Sequence, residues 1–189
     1  EQAVAIAQDG QTGAQATLPR ALTLTVGYTT LVIARAGALH LPVERPWLQI
    51  EQEIPVAVPG VTALPGGWML DTTECTEWDS QRIETNPNPL VAWIDGDALG
   101  SQLLIRTRHR GDRFQPQGMH GAEVRLSDFL TNTKLPRPWR DHLPLLVSAD
   151  RLLWIVGMRV SHGARVRPAT TRVIHLRVLA PRENPARRE

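Results

Sequence analysis

The sequence predicts a strand-rich α+β fold, in which the C-terminal part forms a β-sandwich-like domain with two short helices. Three observations favour this class. Apolar and polar residues alternate at strand spacing in several segments, prolines interrupt residues 42–100 throughout, and helix signals in the C-terminal half are confined to two short segments. Hydrophobic residues make up 42% of the 189 residues, enough to bury a core, which excludes a wholly disordered chain.

The first 45 residues are expected to be the end of a preceding domain. Residues 1–17 are rich in Ala, Gln, Gly and Thr and predict an irregular start. Residues 22–26 alternate apolar and threonine positions, and residues 28–34 are rich in β-branched side chains. With Gly27 between them, the two segments predict a hairpin, which is too small to be stable alone.

Residues 46–102 are expected to be a linking region of strands and loops. Short strands are predicted over residues 47–54, 67–71 and 90–94, and turns at Pro59-Gly60 and Pro65-Gly66-Gly67. The acidic segment 72–83 is compatible with either a loop or a strand.

Residues 103–180 are expected to form a compact domain, followed by a disordered tail over residues 181–189. Strands are predicted over residues 103–109 and 171–179, the latter with Ile174, Leu176 and Val178 on one face. A hairpin is predicted from two apolar runs, 145–147 and 152–156. The two helices are expected over residues 127–133, capped by Ser127 or the preceding turn, and 139–142, after Pro136 and Pro138.

The charge of the chain is divided unevenly. Residues 1–105 carry four arginines against twelve acidic residues, whereas residues 106–189 carry sixteen arginines and one lysine against seven acidic residues. The net charges of −8 and +10 predict a polyanionic partner for the C-terminal half. The single cysteine, Cys75, favours a reducing, cytoplasmic location, and no apolar run reaches the length of a membrane span.

Motifs for catalysis within this chain are missing from the sequence. It contains no glycine-rich phosphate loop and no G-x-S-x-G elbow, and its histidines and lone cysteine lack the spacing of a metal site. We therefore expect no catalytic residue, no metal site and no cofactor of this chain's own.

The basic stretch after Ile105 is the strongest candidate site. On a strand, Arg106, Arg108 and Arg110 would project from one face about 6.6 Å apart, close to the step between neighbouring phosphates. Gly111 would allow a turn that leaves Arg113 on the far side. The alternative is a charged edge strand that discourages aggregation.

Further charges extend this candidate surface. Arg137 and Arg140 would share a helix face, and Lys134 and Arg159 add two more cations. Asp112 is interpreted as a structural anchor of the turn, with a catalytic carboxylate as the alternative. Trp139 is interpreted as core packing, with stacking on a nucleotide as the alternative.

Four segments follow one another in the C-terminal half: R-H-R-G-D-R-F-Q-P-Q-G from residue 108, L-S-D-F-L from residue 126, K-L-P-R-P-W-R-D-H-L-P-L-L from residue 134 and W-I-V-G-M-R from residue 154. Together they resemble the C-terminal domain of bacterial tRNA(Ile)-lysidine synthetases over about residues 103–178. Residues 108–118 resemble that domain's R-x-x-G-D-R-F-x-P-x-G opening, and residues 126–130 its L-x-D-F-L helix. Its K-I/L-P-R and R-D-x-L-P-L-L segments resemble residues 134–146, and its I-x-W-V-x-G-x-R strand resembles residues 154–159.

The resemblance implies a fold shared with a domain of the larger subunit of phenylalanyl-tRNA synthetase. It also implies a role in gripping the tRNA(Ile) that carries a CAU anticodon, at the acceptor stem. The family's N-terminal domain uses ATP and Mg²⁺ to couple lysine to the wobble cytidine through an S-G-G-x-D-S loop, which this sequence lacks. We expect that N-terminal domain to be a partner of this chain, and a second copy of the chain, forming a homodimer, to be a further partner. We expect no association with a membrane. The rival interpretation is a docking or dimerisation module with little RNA contact.

Overall fold

The structure, a computed structural model, describes residues 2–9, 14–26, 31–35, 41, 44–100, 102–119, 121–149 and 151–181. Within these ranges three helices and fourteen strands are present. The helices are α1 (Gln2–Asp9), α2 (Ser80–Glu84) and α3 (Leu126–Asn132). The strands are β1 (Gln15–Leu18), β2 (Leu22–Val26), β3 (Leu31–Arg35), β4 (Glu53–Pro55), β5 (Gly60–Ala63), β6 (Met69–Cys75), β7 (Val91–Asp95), β8 (Leu103–Arg106), β9 (Arg113–Phe114), β10 (Val124–Arg125), β11 (Leu145–Ser148), β12 (Arg151–Ile155), β13 (Arg159–Val160) and β14 (Val173–Leu179).

The N-terminal part is an antiparallel meander, β1-β2-β3. The predicted hairpin is confirmed as β2 and β3, which pair from Leu22 with Arg35 to Val26 with Leu31. Its connecting turn, at Gly27, lies outside the described residues. The prediction of an irregular start over residues 1–17 was wrong for two segments. Residues 2–9 form helix α1, and residues 15–18 form strand β1, which pairs with β2.

The other described strands form two larger antiparallel sheets, with strand orders β13-β12-β11-β8-β4 and β5-β6-β14-β7, and a two-stranded sheet of β9 and β10. The facing side chains of the two larger sheets share one core. From the five-stranded sheet come Ile105, Leu146 and Leu153, and from the four-stranded sheet come Ile94 and Ile174, each at most 1% exposed. This sandwich confirms the predicted strand-rich α+β class.

A second core covers the other face of the five-stranded sheet. Phe114, Leu126 and Leu130 pack there against Leu145 and Ile155 of the sheet. Helix α3 lies on this side, so β11 is buried on both faces. The predicted hairpin of β11 and β12 and the final strand β14 are both confirmed, and Ile174, Leu176 and Val178 all face the first core.

Strands from both sides of the expected boundary at residue 102/103 share each sheet. Strand β4 pairs with β8, while β6 and β7 flank β14. The two sheets therefore show no break at that boundary. The expected tail after Pro181 lies outside the described residues.

The structure decides or corrects the remaining local expectations. Of the two caps expected for the first helix, the preceding turn is confirmed: α3 begins at Leu126 with Arg125 as its N-cap, and Ser127 bonds Asp128 instead. The second helix is a 3-10 helix, Arg137–His142. The predicted strand over residues 47–54 is reduced to β4, and the turn at Pro59-Gly60 leads directly into the unpredicted β5. The undecided acidic segment contains the end of β6 and most of α2.

Candidate nucleic-acid interface

The loop after β8 is tied down by one buried ion pair. The Nη1 and Nη2 atoms of Arg106 donate to Oδ2 and Oδ1 of Asp112 at 2.8 and 2.9 Å, and the arginine side chain is only 3% exposed. Asp112 Oδ2 also accepts from the backbone N–H of His109 at 2.7 Å. The Asp112 carbonyl accepts from the N–H of Leu126, at the start of α3. Asp112 thus has the contacts expected of a structural anchor.

The turn itself requires glycine at position 111. Gly111 has a φ of +94°, a region that side chains with a Cβ rarely adopt. The Asp112 N–H donates to the His109 carbonyl at 3.3 Å across it. This turn reverses the chain and brings Arg113 into β9.

Opposing effects act on the Asp112 carboxyl group. Burial alone would raise its pKa, but the hydrogen bonds from Arg106 and from the His109 N–H, together with the Arg106 charge, hold the pKa below its usual value. The carboxylate is therefore ionised at neutral pH.

The expected strand through His109, with three arginines on one face, was wrong. Strand β8 ends at Arg106 because both neighbouring strands end their pairing there, at Leu145 of β11 and Glu53 of β4. The Arg106 side chain is buried against Asp112, so it is not available to a phosphate. Arg108 and Arg110 lie in the loop instead.

Three arginine side chains lie beside this loop: Arg108, Arg137 and Arg140. We call these three residues the arginine cluster. Arg108 bonds Asp141 through Nε at 2.6 Å. Arg140 is held by the Leu135 carbonyl and the Thr131 hydroxyl, at 2.9 and 2.8 Å.

The cluster is electrostatically crowded. Burial lowers the pKa of Arg140, and the charges of Arg108 and Arg137 lower it further, against the opposing charge of Asp141. Asp141 thus offsets only part of the positive charge that acts on Arg140. Such a surplus favours an external anion.

A basic cleft of about 460 Å³ opens on the other side of the loop. Its charged lining comprises four arginines and two carboxylates: Arg106, Arg110, Arg113, Arg151, Asp112 and Glu123. Arg113 forms an ion pair with Glu123, whereas exposed Arg110 makes no hydrogen bond or ion pair with the residues that the structure describes. The cleft therefore has more positive than negative charge.

The structure does not bring every predicted cation to these two features. Lys134 lies in the turn after α3 with a φ of +58°. Arg159 lies on β13, where Nη1 contacts the Gln117 carbonyl at 3.5 Å. The ring centroids of Trp139 and Trp47 lie 6.0 Å apart, and this contact fits the interpretation of Trp139 as a packing residue.

Arg151 was missed from the sequence. It stands at the start of β12, and it reaches the cleft because Gly163 leaves room: an added Cβ would lie 3.1 Å from both Arg151 Nη2 and Gln115 Oε1. Only the packing of distant segments creates this arrangement, so no local signal could have revealed it.

Two absences hold for the part of the chain that the structure describes. No helix there is long and apolar enough to cross a bilayer. No group of three or more His, Cys, Asp or Glu side chains is arranged to hold a metal ion.

Comparison with known proteins gives consistent matches. The family model described as TilS substrate C-terminal domain matches residues 103–177. A tRNA(Ile)-lysidine synthase from Dehalococcoides mccartyi is 42% identical over 94 residues, half of this chain and 20% of the relative. One from Symbiobacterium thermophilum is 36% identical over 151 residues, 80% of this chain and 30% of the relative.

Two solved structures are similar. The crystal structure of a TilS C-terminal domain superposes with a TM-score of 0.58 and 26% identity, over 70% of this chain and 98% of that one. An N-terminal fragment of the phenylalanyl-tRNA synthetase β-subunit from Pyrococcus horikoshii gives a TM-score of 0.43 and 18% identity. The match covers 59% of this chain and 38% of that fragment.

These matches agree with the resemblance in the sequence. The chain spans about a fifth to a third of the length of the curated relatives. Residues 103–177 are therefore similar to the TilS substrate C-terminal domain.

Proposed function

We propose that this domain binds tRNA through the arginine cluster and the basic cleft. The observation that carries the proposal is the surplus of guanidinium groups around the loop over residues 107–113. Arg108 is paired with Asp141, the charges of Arg108, Arg137 and Asp141 all act on Arg140, and Arg110 has no counter-ion among the described residues. Both features lie in the half of the chain with a net charge of +10.

The RNA feature that fits best is a helical stem, and we propose the acceptor stem. An A-form stem offers phosphates and 2′-hydroxyls across its shallow minor groove, while its deep major groove is closed to side chains. Contacts of this kind position the RNA without reading its sequence. Selection of the tRNA(Ile) with a CAU anticodon then depends on other parts of the enzyme.

The wider role follows from the relatives. We propose that this chain is the C-terminal portion of a tRNA(Ile)-lysidine synthase that works in the cytoplasm. In this proposal, an N-terminal domain with an S-G-G-x-D-S loop uses ATP and Mg²⁺ to couple lysine to the wobble cytidine. The present chain holds the tRNA while that domain acts.

The test is the salt dependence of tRNA binding by the 189-residue chain. Fluorescence anisotropy with labelled tRNA(Ile) at several salt concentrations should give log affinity falling with log salt at a slope of about −4 to −5, because each neutralised phosphate contributes about 0.9. A flat response would instead support the docking or dimerisation module. Sedimentation of the same samples would then show whether the chain self-associates.

A further inference from the structure

The outer face of the four-stranded sheet carries a groove that is lined by aromatic and basic side chains. On β14, Ile174 and Leu176 point into the core, so His175 and Arg177 point outward. On β7, Trp93 stands directly opposite His175 in the register. We call the space around them the outer groove.

Two flat rings line the outer groove. The Trp93 and His175 rings are stacked, with centroids 4.8 Å apart and an interplanar angle of 21°. The hydroxyl of Thr73 lies 3.4 Å from His175 Nδ1 and fixes the imidazole from the β6 side. The groove has a volume of about 350 Å³, at the lower end for small-ligand sites.

Two arginines flank the rings. Arg177 bonds Asp71 at 2.7 Å, whereas the exposed side chain of Arg82 makes no hydrogen bond or ion pair with the described residues. Burial lowers the pKa of His175, and the charges of Arg177 and Arg82 lower it further, against Asp71. The imidazole is therefore uncharged at neutral pH, while the groove around it is cationic.

We propose that the outer groove binds one unpaired nucleotide of the RNA held by the domain. The base would extend the Trp93–His175 stack on one of its outer faces, and its phosphate would lie between Arg82 and Arg177. Stacking on aromatic side chains beside cations is the general solution for single-stranded nucleic acid. The volume suits one nucleotide rather than a long segment. This inference rests on the proposed function.

The first experiment compares two labelled RNA hairpins with the same stem, one blunt and one with a four-nucleotide unpaired 3′ extension. The 189-residue chain should bind the extended hairpin about tenfold more tightly. Trp93→Leu and Arg177→Gln should remove that advantage without changing the affinity for the blunt hairpin. Trp93→Phe should keep most of it, and Arg35→Gln, an exposed arginine on β3, should keep all of it.

The ratio of the two affinities separates this inference from the proposed function. Equal binding of both hairpins by the wild type, or an advantage that survives in Trp93→Leu, would overturn the outer groove while leaving the tRNA-binding role intact. Weaker binding of both hairpins by Arg137→Gln, with the ratio of the two affinities unchanged, would support both.

A direct readout remains if neither hairpin binds. The NMR signal of the His175 imidazole, identified by its loss in His175→Gln, should shift on addition of 5′-phosphorylated tetra-adenylate RNA, and the pKa of His175 should rise because a phosphate offsets the two arginines. No shift would overturn the proposal. Saturation by AMP at micromolar concentration would also overturn it, in favour of a site for a free nucleotide.

Discussion

The guanidinium of Arg106 meets the carboxylate of Asp112 in two parallel hydrogen bonds, across a loop that separates them by six positions. Both side chains are nearly buried, at 3% and 12% exposed. The pair joins the end of β8 to the start of α3, and it determines where Arg108, Arg110 and Arg113 emerge. A residue expected to touch RNA is thus the one that orients the others.

Asp112→Asn should destabilise the domain strongly. The substitution leaves the Arg106 charge buried without a partner, which costs about 3 kcal/mol. Asp141→Asn is the matched control, because its pair with Arg108 is 45% and 33% exposed and should cost less than about 1 kcal/mol. Urea unfolding followed by tryptophan fluorescence measures both. Losses of the same size in the two variants would contradict the anchoring role.

Local patterns predicted β14 and the β2–β3 and β11–β12 hairpins well and the arginine geometry poorly. Strand β14 was predicted because alternation along a single strand records which residues face the core. The expected arginine face failed because β8 loses its partners after Arg106, and that limit depends on where β4 and β11 end. Nothing within the basic stretch carries that information.

The outer groove shows the same limit more sharply. Trp93 and His175 are far apart in the chain and become neighbours only through the register of β7 with β14. The sequence gives each as an isolated residue in a strand. By contrast, the anchoring role of Asp112 could be proposed from sequence, because its partners lie within six positions.

Arg110→Gln and Arg137→Gln should each weaken RNA binding and reduce the salt slope by about one. The two side chains belong to the cleft and to the cluster, so an effect of both would show that one RNA spans the two features. The loss should be similar for all tRNAs, because phosphate contacts do not read sequence. Anisotropy titrations at several salt concentrations give the slopes, with Arg35→Gln as the control. A slope equal to that of the wild type in both variants would exclude these residues from the interface.

Glu123→Gln should tighten RNA binding. Glu123 neutralises Arg113 at the edge of the basic cleft, with both side chains about half exposed. The substitution removes a negative charge that repels phosphate, and it leaves the Arg113 guanidinium free to bind one. The affinity for RNA should therefore rise about threefold, and the salt slope should steepen by up to one. Glu77→Gln makes the same change of charge at an exposed position outside the cleft. Equal gains in the two variants would indicate a general effect of net charge rather than a role for the cleft.

Arg177→Gln should raise the pKa of His175. Burial is the main cause of the lowered pKa of His175, and the Arg177 charge lowers the pKa further. Loss of that charge therefore leaves the opposing charge of Asp71 with greater effect.

The sign of the effect on stability follows from proton binding. Between the lowered folded-state pKa and the ordinary value of about 6.5, the unfolded chain binds the proton and the folded chain does not, so stability falls as pH falls through that window. The variant should lose less stability there than the wild type. NMR titration of the imidazole gives the pKa, and urea unfolding at pH 7 and pH 5.5 gives the stability. An unchanged or lower pKa in Arg177→Gln, with Arg35→Gln unchanged, would show that Arg177 does not act on the imidazole and would remove one of the two cations assigned to the outer groove.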